Sequence, residues 1–200
     1  MNDNNEQDFE REINESEDYS DEVYAYQLKI PLERVAILIG KEGKVKKLIE
    51  KETNAILDIS KEGDVNVQGD DGLSLFSCKE IVRAIGRGFN PSVALELIKT
   101  DYVLEIINLR DIVGKSHKSM ERLKGRIIGE KGKSRRVIEE MTGCYISVYG
   151  KTIGIIGEVN NAYLAHQAVN MLLQGSMHKT VYKFLERKQQ EAQFGKEYLV

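Results

Sequence analysis

The sequence predicts an α+β protein made of two tandem copies of one small module. Each copy is expected to form a three-stranded antiparallel sheet with three helices on one face, and a C-terminal helix follows the second. Three observations predict this. Leu38-Ile39-Gly40-Lys41-Glu42-Gly43-Lys44 and Ile127-Ile128-Gly129-Glu130-Lys131-Gly132-Lys133 match in pattern, with both glycines displaced by 89 positions. The same displacement aligns Ile49 with Ile138, Glu50 with Glu139, Thr53 with Thr142 and Ile59 with Val148, more agreement than chance supplies. Around each copy the apolar pattern switches between strand and helix periods in one order: strand, helix, helix, strand, strand, helix.

Each element has its own signal. Val23 to Ile30 and Tyr102 to Leu109 alternate as strands, and a short helix follows each. After the glycine motif, apolar positions Val45, Leu48 and Ile49, or Val137, Ile138 and Met141, mark one face of a helix ending near Thr53-Asn54 or Thr142-Gly143. Two hairpins come next: Ala55 to Ser60 with Asp64 to Gln68 around Lys61-Glu62-Gly63, and Tyr145 to Tyr149 with Thr152 to Ile156 around Gly150-Lys151. Amphipathic helices over Leu73 to Ile85 and Ala162 to Leu173 close the modules, stopped by Gly86 and Gly88 or by Gly175. Asn90-Pro91 places a cap before a proline at the first helical position, so an ordered helical connector is expected at 90–100. Met177, Val181, Phe184 and Leu185 form the apolar stripe of a last packing helix within 176–200. The modules then occupy 23–89 and 101–175.

Charge is divided unevenly. Residues 1–22 hold ten Asp/Glu and one Arg, with almost nothing apolar and no charged-then-apolar leader order, and read as a disordered acidic tail. The remaining 28 Lys/Arg face 22 Asp/Glu, so the body is basic although the whole chain carries -3. The tail serves either as a shield over a polyanion site or as a solubilising segment, and the second is the simpler reading. Nothing in the sequence has the length and apolarity of a membrane span. Cys78 and Cys144 are isolated and suit small buried residues of a reduced compartment.

The repeated glycine motif is where chemistry concentrates. Two helices joined by only G-x-x-G need a very tight turn, and the second helix then points its free amides and positive dipole end outward. Without Cβ atoms, phosphates reach the main chain. Lys41, Lys44, Lys46 and Lys47 surround the first turn; Lys131, Lys133, Arg135 and Arg136 surround the second. Folding alone does not require that clustering. Bases would be read in a groove between these helices and the neighbouring strand, lined by aliphatics such as Ile39, Ile56, Ile128 and Ile146, whose first role is core packing.

With the following Ile and Thr, the Ile-Gly-x-x-Gly pattern in this element order resembles the type I KH domain over residues 23 to about 175. The resemblance implies that each module clamps about four nucleotides of a single strand, with the glycine turn on the backbone. The implied RNA contacts are Gly40, Lys41, Glu42, Gly43, Lys44 and Lys47 in the first copy. In the second they are Arg126, Ile128, Gly129, Glu130, Lys131, Gly132, Lys133, Ser134, Arg135 and Arg136. One departure is visible: the family has an aliphatic three positions after the second glycine, where this chain has Lys46 and Arg135.

Gly132-Lys133-Ser134-Arg135-Arg136-Val137-Ile138-Glu139, with Gly150-Lys151-Thr152 and Arg87-Gly88-Phe89-Asn90-Pro91, resembles a narrower group, the archaeal partner-of-Nob-one family of small-subunit ribosome assembly factors. That resemblance implies a cytoplasmic protein bound near the 3′ end of small-subunit ribosomal RNA. Its implied protein partners are the maturing endonuclease and the alpha subunit of translation initiation factor two. Residues 111–136 carry nine Lys/Arg and three Asp/Glu, against six and three in the aligned window 22–47, so the second copy is expected to bind RNA more strongly. Lys115, Lys118, Arg122 and Arg126 extend a basic track into its turn, or form a solvated helix face. The first copy is in part a candidate protein-docking surface.

Competing readings are an enzyme, an RNA-binding regulator or degradation-complex adaptor, and a protein-docking scaffold. Gly132-Lys133-Ser134 suggests a P-loop, but the glycine that loop needs five positions before Gly132 is Ile127. His117, His166 and His178 lack metal-ligand spacing. No catalysis, cofactor or metal is expected.

Overall fold

The computed structural model describes residues 24–197, with side chains through residue 193. The acidic tail at 1–22 lies outside the described residues, as does Val23. The chain divides at Thr100/Asp101 into two compact units.

In the first unit β1 (Tyr24–Lys29) leads to α1 (Leu32–Ile39), and the glycine turn connects α1 to α2 (Lys44–Thr53). β2 (Ile56–Ile59) and β3 (Asp64–Gly69) form the hairpin, and α3 (Gly72–Gly86) follows. All strands pair antiparallel in the order β1-β3-β2, so β2 is an edge strand. Alternation decides the faces: Leu57, Val65 and Val67 are buried against the helices while Asp58 and Asp64 stay exposed. Asp71 caps α3 by accepting from Ser74 N at 2.8 Å. The connector is helical, α4 (Pro91–Ala94) then a 3-10 turn over Leu95–Ile98, and it buries Ala94 and Leu97 in this unit.

The second unit contains β4 (Tyr102–Asn108), α5 (Leu109–Val113), α6 (His117–Ile128), α7 (Lys133–Thr142), β5 (Tyr145–Tyr149), β6 (Thr152–Glu158), α8 (Val159–Leu173) and α9 (His178–Glu197). Its sheet order, β4-β6-β5, repeats that of the first. One element departs from the expected order. Two helices, rather than one, separate the first strand from the glycine turn, because Asn108 caps α5 through Arg110 N and Gly114, at φ 60°, ends it. Ser116 then caps α6, which reaches one turn further back than α1 does.

Both cysteines are buried and unpaired. Burial pushes the Cys78 thiol up to about 11, against the opposing hydrogen bond with Thr53. Cys144 is raised by burial too. The thiolate, the reactive form, is thus suppressed at neutral pH in both.

Candidate nucleic-acid interface

The two glycine turns have one geometry. Gly40 has φ 70° and ψ 175°, Glu42 has φ 56° and Gly43 φ 72°; the second turn gives 71° and 178° at Gly129, 50° at Lys131 and 77° at Gly132. Each closes with two main-chain bonds: Gly43 N or Gly132 N donates to the carbonyl of the first glycine at 3.2 Å, and Lys44 N or Lys133 N donates to the carbonyl of Lys41 or Glu130. The two glycines do different jobs. A Cβ on Gly40 would stand 2.4 Å from Val45 Cγ2, and one on Gly129 would stand 2.6 Å from Ser134 Cβ, so the first glycine lets the two helices pack closely. A Cβ on Gly43 or Gly132 meets nothing within 4 Å. The second glycine therefore keeps space open at the surface, at a backbone angle that costs other residues about 1–2 kcal/mol.

No side chain caps α2 or α7 at its N-terminus. The positive end of each helix dipole adds favourable potential for an anion at the turn. Lys41, Lys44 and Lys47 are exposed around the first turn, and Lys131, Lys133 and Arg136 around the second. Lys44 lies 3.8 Å from Glu42, which tempers the first site. Glu42 and Glu130 are exposed and present main chain rather than charge complementarity to an anion.

Three expected contacts have other surroundings. Ser134 is 2 % exposed and packs on Gly129, inside the turn. Arg126 does not continue the basic track: its Nε donates to Leu172 O at 2.8 Å and its Nη2 to Ser176 O, closing the C-terminus of α8. Arg34 does the same in the first unit, from one helical turn earlier in the repeat, with Nε donating to Ile85 O at 2.7 Å. Arg126→Ala is expected to strip two carbonyls of a charged donor and destabilise the second unit by about 2 kcal/mol, visible in thermal unfolding. Ile146, offered as a groove residue, is 4 % exposed and belongs to the core, since side chains alternate and it faces inward. Ile56 and its repeat counterpart Tyr145 are exposed on the opposite face.

Ile39 and Ile128, at the ends of the helices that enter the turns, are half-buried, as are Ile59 and Val148 on the edge strands, so these aliphatics remain the candidates to meet a base. Lys118 and Arg122 are exposed on α6, and with Gly125 and Gly129 they fall on one helical stripe leading to the turn.

One pair was aligned by the repeat without being given a role. Glu50 Oε1 accepts from Leu57 N at 2.9 Å, and Glu139 Oε1 accepts from Ile146 N at 2.8 Å. Each carboxylate ties the helix after the turn to an outward amide of the edge strand. Lys46 sits 3.8 Å from Glu50 and Arg135 3.7 Å from Glu139, each one helical turn earlier. This accounts for the two cations at an aliphatic position: helix register is kept, and the stems lie over the glutamates. Among the described residues no group of three or more His, Cys, Asp or Glu is placed to hold a metal, and no helix is long and apolar enough to cross a membrane.

Comparison with known proteins agrees with this geometry. The family described as "Eukaryotic type KH-domain (KH-domain type I)" matches residues 103–190, and the KH domain family matches residues 25–86. A KH domain-containing protein of Methanocaldococcus jannaschii is 50% identical over 168 residues, 82% of this chain and 74% of that protein. The crystal structure of Dim2p from Pyrococcus horikoshii is 44% identical with a TM-score of 0.77, covering 82% of this chain and 99% of that one. A chain in the a/eIF2alpha-aDim2p-rRNA complex of the same organism is 43% identical with a TM-score of 0.80, covering 85% and 96%. With two glycine turns of KH geometry and relatives this similar along most of its length, the chain belongs to the partner-of-Nob-one-like family of archaeal proteins with two type I KH domains.

Proposed function

We propose that the chain binds single-stranded RNA through both glycine turns and serves as a small-subunit ribosome assembly factor, held near the 3′ end of the small-subunit rRNA. The observation that carries the RNA reading is the open space beyond Gly43 and Gly132, bordered by helix N-termini without side-chain caps and by exposed lysines. Phosphates fit there because the donors are main-chain groups already fixed in place. The rRNA reading is supported by likeness to a chain solved in a complex with rRNA and a/eIF2alpha. On this reading the alpha subunit of translation initiation factor two and the maturing endonuclease are its protein partners in the cytoplasm. Its own contribution is binding and positioning, without a chemical step.

Crosslinking in cells tests the assignment. Recovered RNA is expected to be dominated by the 3′ region of small-subunit rRNA; mainly messenger RNA, with that region absent, would instead favour the regulator reading. Binding in vitro should weaken with salt, the slope of log K against log salt growing by about 0.7 for each phosphate neutralised on a single strand. Replacing Lys118 and Arg122 by alanine is expected to flatten that slope by about 1.4. An unchanged slope removes these residues from the phosphate track.

A further inference from the structure

We infer that Arg135 makes the second KH module selective for guanine or cytosine, and that the first module lacks this selectivity because Lys46 stands in the same place. The inference rests on the RNA-binding reading and adds base discrimination to it. Arg135 lies three positions beyond Gly132, on the side of α7 that faces the edge strand, because Glu139, one turn on, is bonded to Ile146 N. A base whose phosphate sits on the turn must pass beside it.

The guanidinium is held from one side only. Its Nε is buried, without a hydrogen bond, 3.7 Å from Glu139 Oε2, while the side chain remains 41% exposed. The pairing carboxylate is committed twice, with Oε1 on the strand amide and Oε2 on Nε. Nε thus faces Glu139, and the side chain is exposed enough for the Nη pair, two donors in one rigid fork, to meet a base edge. Two parallel donors match two adjacent acceptors. Guanine offers O6 with N7. Cytosine offers O2 with N3, which an unpaired strand exposes. Adenine places its N6 donor beside N7 and N1, and uracil has a donor at N3 between its two carbonyls, so neither satisfies both arms.

Lys46 repeats the placement but not the fork. Its Nζ lies 3.8 Å from Glu50 Oε1, and Glu50 is bonded to Leu57 N. An ammonium is a rotating point charge that attracts any acceptor without preferring paired ones.

The test measures binding of the full chain to four single-stranded RNA oligonucleotides that differ at one base, scanned across the site. Guanine or cytosine at one position is expected to bind about tenfold tighter than adenine or uracil, about 1.4 kcal/mol. In Arg135→Lys the spread among the four strands should collapse to within about twofold, the guanine or cytosine strand losing the most affinity. Lys46→Arg should add a second discriminated position. Wild-type protein that binds all four strands equally well, or Arg135→Lys that keeps the preference, overturns the inference alone. Failure of the wild type to bind any strand overturns the RNA-binding reading and this inference together.

Discussion

Changing Glu130 and Lys131 together to aspartate is expected to lower affinity for single-stranded RNA roughly 30-fold, about 2 kcal/mol, with little change in the unfolding curve. The charge effect comes from Lys131: one cation is lost and one anion gained where a phosphate would lie, among exposed cations that otherwise attract it. The fold should tolerate the change because Lys131 already has φ 50°, a region that aspartate enters more readily than most residues. Its carbonyl, which Arg136 reaches at 3.4 Å, is main chain and remains. The same replacement at Lys41 and Glu42 should cost only about fivefold, since residues 22–47 hold six cations against nine in 111–136 and Glu42 already pairs with Lys44. Filter binding or anisotropy on the two variants separates the modules; full affinity in both would point to the docking-scaffold reading.

Exchanging single glycines of one turn for alanine should separate its two functions. Gly129→Ala is expected to destabilise the second unit by roughly 3 kcal/mol and lower its unfolding midpoint by about 10 °C or more. The reason is local: φ 71° with ψ 178° is a conformation nearly restricted to glycine, and the new Cβ would be 2.6 Å from Ser134 Cβ and 2.8 Å from Ser134 N. Gly132→Ala meets no atom and should cost only about 1 kcal/mol, the price of its positive φ. Yet its methyl group would enter the space where phosphate approaches, so this variant should fold and bind RNA poorly. Calorimetry and binding on both proteins check the contrast, and a Gly132→Ala protein with undiminished affinity would remove the turn from the contact surface.

How far the sequence foretold the site follows from what a repeat records. Displacement by 89 positions carried the helix after the turn and the edge strand, because packing there repeats residue for residue: Thr53 and Thr142 bond the equivalent carbonyls, of Ile49 and Ile138, whereas across the hairpin the displacement falls to 88, with Val65 opposite Ile59 and Ile153 opposite Val148. It did not carry the first strand of the second unit, since α5 is inserted before α6 and shifts the register. Arg126 read as one more cation because charge is visible in a sequence, whereas its carbonyl partners, 46 positions away at Leu172, are not. Ile146 has the residue type of a groove lining, but the displacement points to Tyr145 opposite Ile56, one residue off, and in a strand one residue is the other face. The role of Glu50 and Glu139 needed coordinates, because an edge-strand amide left without a sheet partner cannot be identified before strand order is known.

The last helix holds the helix pair of the second turn at two points, one just before the turn and one at the end of α7 away from it. His178 Nε2 lies 2.9 Å from Arg126 O near the end of α6, and Gln189 donates to Met141 O at 2.6 Å near the end of α7. Val181 and Leu185 seat the span between them in the core. The hinge that meets a polyanion is therefore braced like a clothes-peg held both at the spring and at one handle, and a nick by a protease in α9 would slacken the bite without touching a single surface lysine.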